Sequence, residues 1–178
     1  HNSCRMECIS LKETGIIRKI DELGRIVLPK EIRKNLGIKD GEDLEIFVRD
    51  KGVYLQKYSH LLNITDTLEP LCNLAFEVMG LKLIVTDREK VITAFDSSLV
   101  SLSIPSSLEE FIMNRECYTT NQPVQYFNLS GYFHIEPINV SGDIMGLILL
   151  YQEQPFLSYM IDFTRFLTKI IVNKIDIL

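Results

Sequence analysis

Arg18, Lys19, Arg25, Lys30, Arg33 and Lys34 fall within seventeen residues, and they are the side chains whose type and spacing best suit a chemical task. That task is holding a polyanion. Ammonium and guanidinium groups neutralise phosphates and release their counterions, and a guanidinium fork can also meet two acceptors on a base edge. Lys34 is the weaker member for the second role, because an ammonium cannot form the fork. Lys12, Lys19 and Lys30 suit phosphate contacts alone. The competing reading is a solvated charged face, since the stretch 12–58 carries nine Asp/Glu beside its eleven Lys/Arg.

Other chemistry is thinly represented. Cys4, Cys8, Cys72 and Cys117 are scattered, and the one close pair, C-x3-C, has no second half to complete a zinc site. They read as free thiols of a reducing compartment. Cys72 lies on an apolar helix face and is expected in the core, while Cys117, in a polar loop, is the better reactive thiol. Tyr118, Tyr126, Tyr132 and His134 are grouped here near the mouth of a possible pocket, although a single histidine on a strand is more often a satisfied polar group. No Ser/His/Asp set or carboxylate pair stands out. No catalytic or metal-binding residue is therefore named, the ligand-binding residues are unknown, no cofactor is expected, and the chain reads as a non-enzyme.

The 178 residues, 46% hydrophobic and 24% charged, have the composition of a soluble globular protein with room for one medium or two small domains. No apolar run approaches the roughly 20 residues that cross a bilayer, and no secretory signal opens the chain, so a cytoplasmic protein with no membrane partner is expected. His1 to Arg5 precede a methionine and are set outside the fold argument. The net charge of −5 is unevenly divided: 12–58 carries +2, whereas 59–178 has seven basic against fourteen acidic residues, −7. A polyanion should meet the first part and be repelled by the second.

The elements that must position the cations are short. Ile16, Ile17 and Ile20 predict a strand over 16–20, Asp21, Glu22 and Gly24 a reversal, and Ile26 and Leu28 a second strand over 25–28. Pro29 fits the first position of a two-turn helix with Gly37 just past its end, and Ile32 and Leu36 share its buried face. A polar turn around Gly41 leads to alternating strands at 44–49 and 53–57. Four short strands and one short helix bury too little surface to stand alone, and there is no metal or disulfide to help. The module is therefore expected to be an obligate dimer whose strands interleave with a second copy.

The run TGIIRKIDELGRIVLPKEIRKNLGI, followed by GEDLEIFV and VYLQKY, resembles the swapped-hairpin, AbrB-type DNA-binding domain of bacterial transition-state regulators. The resemblance covers 12–58 almost without a gap. It implies that two chains exchange hairpins to close one β-barrel, and that double-stranded DNA is the partner. It also implies that the family's DNA-contacting arginines fall on Arg18, Arg25 and Arg33, with Lys34 in place of a fourth. Such domains tend to read DNA shape more than a fixed base string.

After a polar link at 59–63, the apolar positions Leu68, Leu71, Cys72, Ala75, Phe76 and Met79 predict a helix ending at Gly80, with Pro70 either near its start or at a kink. Strands follow at 81–85 and 91–95. Ser106 and Ser107, each with a glutamate three residues on, predict a doubly capped helix over 108–115. Strands at 124–127, 132–138 and 144–151 and a last helix over 156–177 complete an α+β domain, 64–178. That helix has one seam through Leu157, Ile161, Thr164, Thr168, Ile171, Ile175 and Leu178. A second stripe runs through Phe156, Met160, Phe163, Leu167 and Ile170.

This order resembles a GAF domain, the small-molecule sensing module, with LIVTDREKVITAF and the turn before IMGLILLY as its best matches. A swapped-hairpin head joined to a GAF-like domain resembles the sporulation regulators of the SpoVT type. That resemblance implies a homotetramer, a dimer of dimers held by terminal helices, and control of sporulation or transition-state genes. The runner-up is an antitoxin-like DNA-binding protein whose C-terminal part binds a protein partner. Against it, such partners usually use a disordered segment, and this tail is patterned throughout.

Overall fold

The computed structural model describes residues 15–176, so Lys12, Cys4, Cys8 and the Leu178 end of the seam lie outside the described residues. The chain divides into two compact units, with the boundary between Lys57 and Tyr58.

In the first unit α1 is Lys30–Asn35, and β1 (Leu44–Arg49) pairs antiparallel with β2 (Gly52–Lys57) from Leu44 opposite Lys57 to Arg49 opposite Gly52. Pro29 is the cap residue before the helix. Gly37, at φ 63°, takes the left-handed position that closes it, with Ile38 N–H donating back to the Arg33 carbonyl at 2.7 Å. The reversal at 21–24 forms as expected, but the residues on either side of it, 16–20 and 25–28, are not strands. A strand exists only through a neighbour, and among the described residues no strand lies beside these two segments.

The same shortage affects packing. Among the described residues of this unit none is buried, and Ile17, Leu23, Val27, Ile46, Val48 and Val53 are each more than 60% exposed. Leu36, expected on a buried helix face with Ile32, is 56% exposed because there is no core for that face to meet.

The second unit is built on a six-stranded antiparallel sheet. The residues read as a link form α2 (His60–Asn63), capped by Ser59, with Leu61 fully buried. Next, α3 (Thr65–Met79) runs through Pro70 and ends on Gly80 at φ 67°. Strands β3 (Lys82–Thr86) and β4 (Val91–Ala94) form a hairpin, followed by a 3-10 turn at Ser97–Leu99 and α4 (Ser106–Asn114). The capping box predicted there is absent: Pro105 precedes the helix, and both serines lie in its first turn without a side-chain cap bond. Then come β5 (Tyr118–Thr119), β6 (Val124–Tyr126), β7 (Leu129–Val140), β8 (Asp143–Gln152) and α5 (Ser158–Asp176). The sheet order is β4-β3-β8-β7-β5, and β6 also pairs with β7.

Alternation along the central strands makes two cores from one sheet. Leu83, Val85, Ile138, Ile148 and Leu150 pack with Leu61, Leu68, Cys72 and Ala75 of α2 and α3 and with Leu167, Ile171 and Ile175 of α5. Ile84, Phe133, Ile135, Leu147 and Leu149 face the other way, toward Leu108 of α4. The two stripes read along α5 do not divide as expected: Thr164, Leu167, Thr168, Ile171 and Ile175, drawn from both, are buried, and Leu157, Tyr159, Phe166 and Ile170 remain exposed. A straight helix at 3.6 residues per turn drifts off a strict seven-residue seam, which moves the boundary between the faces.

Gly146 on β8 marks the tightest backbone approach. A Cβ there would stand 1.8 Å from the carbonyl oxygen of Thr86, a backbone atom that cannot turn aside. Gly146→Ala should therefore destabilise the sheet domain by about 3 kcal/mol, measured as a lower midpoint in chemical unfolding. An unchanged midpoint would contradict the close approach.

Candidate nucleic-acid interface

The turn that separates Arg18 and Lys19 from Arg25 is organised by one carboxylate. Asp21 Oδ1 accepts the backbone N–H groups of Leu23 (2.9 Å) and Arg25 (2.8 Å), while Gly24 N–H donates to the Asp21 carbonyl at 3.0 Å. Gly24, at φ 77°, takes the left-handed conformation that the reversal needs. The other carboxylate oxygen, Oδ2, accepts from Arg25 Nε at 2.8 Å. These bonds hold the Asp21 carboxyl below the usual carboxylate range, the Arg25 backbone N–H contributing most and the Arg25 side chain next.

The remaining cations are held differently. Arg33 is half-buried at the end of α1, and its Nη1 is engaged by Asp40 Oδ1. Arg18 is exposed and donates from Nη1 to the neighbouring Ile17 carbonyl at 3.0 Å. Lys19, Lys30 and Lys34 are exposed. Residues 15–18 and 29–31 line an open groove, with Arg18 and Lys30 on its walls. The five residues expected to contact DNA thus stand at the surface of a coreless module, and Asp21 and Asp40 each hold one of its arginines. Sequence reasoning missed these two acids as members of the site. The signal was there in part, because Asp21 is also the Asx residue of the turn, but Asp40 is tied to Arg33 only by the fold.

In the second unit the expected grouping of Tyr118, Tyr126, Tyr132 and His134 does not form. Tyr118 stacks on Phe111 at 5.5 Å and Tyr126 meets Phe133 edge-on at 4.8 Å, both on the α4 side of the sheet. His134 faces the α5 side, fully buried, with Nδ1 2.6 Å from Thr119 Oγ1 and Nε2 2.8 Å from Glu136 Oε1; Tyr132, two residues away, shares its face. It is the satisfied polar group rather than part of a pocket mouth. Arg165 of α5 donates to the same Glu136 oxygen at 2.9 Å, tying helix to strand. Cys72 is buried, which pushes its thiol up to about 12, and Cys117 is exposed beside Arg165. Among the described residues no group of His, Cys, Asp and Glu could hold a metal, and no helix is long and apolar enough to cross a membrane.

Residues 17–61 match the family model described as "Antidote-toxin recognition MazE, bacterial antitoxin". The first unit is thus a MazE/AbrB-type domain. Over 153 residues the chain is 32% identical to Stage V sporulation protein T of Bacillus subtilis (strain 168), an alignment that covers 80% of this chain and 86% of that protein. The chain belongs to the family of that protein. It is also 37% identical over 94 residues to the Transition state regulatory protein AbrB of the same organism, covering 52% of this chain and 97% of that one.

Two solved structures are similar in part. The N-terminal DNA recognition domain of AbrB from Bacillus subtilis is 53% identical and matches 28% of this chain and 92% of its own, with a TM-score of 0.24. A methyl-accepting chemotaxis protein fragment, residues 122 to 287, matches 65% of this chain and 92% of its own, with a TM-score of 0.52 and 12% identity, a likeness of fold alone.

The tie between β7 and α5 makes the sheet domain acid-sensitive. Burial by itself pushes the Glu136 carboxyl up, but hydrogen bonds from His134 and Arg165 outweigh it and hold the group below its usual value. Its contribution to stability is complete above the unfolded value of about 4.3 and is lost as pH falls through the lower, folded one. Glu136→Gln should be less stable than the parent at neutral pH and should lose less on acidification from about pH 5 to about pH 3, followed by chemical unfolding at a series of pH values. Parallel acid limbs for the two proteins would refute this.

Proposed function

We propose that the chain is a DNA-binding transcription regulator of transition-state or sporulation genes. In this reading residues 12–58 of two copies exchange hairpins to close one β-barrel, and double-stranded DNA is held by Arg18, Lys19, Arg25, Arg33 and Lys34 from each copy. The observation that carries it is the first unit itself: apolar strand residues with no core to enter, beside exposed cations. A module of this size gains stability by association, and a two-fold object presents each cation twice, as a duplex with repeated half-sites requires. The relatives named as sporulation and transition-state regulators support the same role.

The second domain, 64–178, acts in this reading as a GAF-like device that fixes the spacing of heads or senses a small molecule. A ligand moves the heads only if it favours one arrangement over another. The exposed stripe of α5, Tyr159, Phe166 and Ile170, with Leu74 and Val78 of α3, supports packing of the terminal helices in a dimer of dimers. An antitoxin-like reading draws on the description of the family model over 17–61. Against it stands the second domain, which buries two cores of its own where a toxin-binding tail is usually unfolded until bound.

Two measurements test the proposal. Arg25→Ala and Arg33→Ala should each weaken binding of the full chain to genomic DNA fragments by about tenfold and lower the slope of log K against log salt by about one or more, with the fold retained. Unchanged affinity and slope in both would remove these residues from the interface. Phe166→Asp should convert tetramers to dimers in solution mass measurements without loss of DNA binding by each head pair. A tetramer that persists would move the second interface off α5.

A further inference from the structure

Three arginines stand at the proposed DNA face, and the structure leaves them unequal. Arg18 has Nη1 on the Ile17 carbonyl, and Arg33 has Nη1 on Asp40. Arg25 alone is held through Nε, so both of its terminal nitrogens remain without a partner among the described residues. Those two nitrogens are the pair that meets O6 and N7 of guanine in the major groove. The side chain is 71% exposed and would sample many rotamers if it were not tethered. Its tether also fixes the turn: the carboxylate that accepts Nε accepts the backbone N–H groups of Leu23 and Arg25. Backbone and side chain of Arg25 are thus referred to the same carboxylate.

Resting on the DNA-binding reading above, we infer that Asp21 is a positioning residue that aims the Arg25 fork at guanine edges in duplex DNA. Asp21 would then raise sequence preference while lowering affinity for DNA at large, because its negative charge opposes the phosphates. Arg18 and Arg33, each with one terminal nitrogen already engaged, serve as backbone contacts that bind all sequences alike. Asp21 stays anionic across the neutral range, its carboxyl held low first by the Arg25 backbone N–H and then by the Arg25 side chain. The tether is therefore present wherever binding would be measured.

Asp21→Asn separates the two duties of the residue. An amide keeps one oxygen to accept the backbone N–H groups of the turn, but its nitrogen cannot accept from Arg25 Nε. The probes are a duplex pool enriched from random sequence by the full-length protein, a random duplex of equal length, and the enriched duplexes rebuilt with 7-deazaguanine, which lacks the N7 acceptor. The parent should bind the enriched duplex at least about tenfold more tightly than the deaza version. Asp21→Asn should bring that ratio below about twofold, with affinity for the random duplex equal or higher. Circular dichroism and solution mass should match those of the parent. Arg33→Ala should weaken all three duplexes by one common factor and leave the ratio alone.

Arg25→Lys provides a second arm that leaves the turn untouched, and it too should abolish the deaza penalty. The inference is overturned if Asp21→Asn keeps the full ratio, if it weakens all three duplexes equally, or, should that variant not fold, if Arg25→Lys keeps the ratio. A parent that binds DNA with no deaza penalty overturns it as well and leaves the DNA-binding reading standing. A parent that binds none of the duplexes overturns both.

Discussion

The rest of the chain depends on a shortage of buried surface in residues 15–57. Apolar side chains gain roughly 25 cal/mol for each Å² removed from water, and a segment in which no described residue is fully buried gains only part of this. What the segment does have is local. It has an Asx turn at Asp21, a six-residue helix closed by Gly37, and a two-stranded ribbon in strict register from Leu44 to Lys57. Each is marginal alone, since helices of this length and single hairpins are barely stable in water. Ile17, Ile20, Ile26 and Val27 thus remain exposed in the single chain.

The second unit solves the same problem within one chain. Its sheet is long enough for alternation to feed two cores, and among the described residues every buried side-chain N and O atom is hydrogen-bonded. His134, Glu136 and Arg165 show how: a fully buried imidazole is paired on both nitrogens, and the carboxylate that serves it is in turn bound by a guanidinium from α5. Such a network is costly to break at one member, and it fixes the helix against β7.

Much of this was legible in the residues. The turn at Asp21 to Gly24, the helix between Pro29 and Gly37, the ribbon at 44–57 and all the longer elements of the second unit follow from turn chemistry and periodicity. Other features were hidden for identifiable reasons. The strands expected at 16–20 and 25–28 need a neighbour that sequence pattern takes for granted. The serines at 106 and 107 fit a capping box, yet Pro105 takes the cap position just ahead of them and both serines fall inside the helix. β5 is two residues long and exists only as a partner of β7. At the site, the cations could be listed from spacing together with the family resemblance, but not which nitrogen of each was already occupied, because Asp21 on Arg25 and Asp40 on Arg33 are facts of geometry.

In the proposed dimer, the bare first module would tie the reach of the protein to its abundance. A segment that gained its buried surface from another copy would be ordered in proportion to the pairs of chains present, so at low abundance the ordered form would rise with the square of the chain concentration. Halving the amount of protein would then remove more than half of the paired heads. Few other features of so short a chain translate gene expression into a threshold so directly.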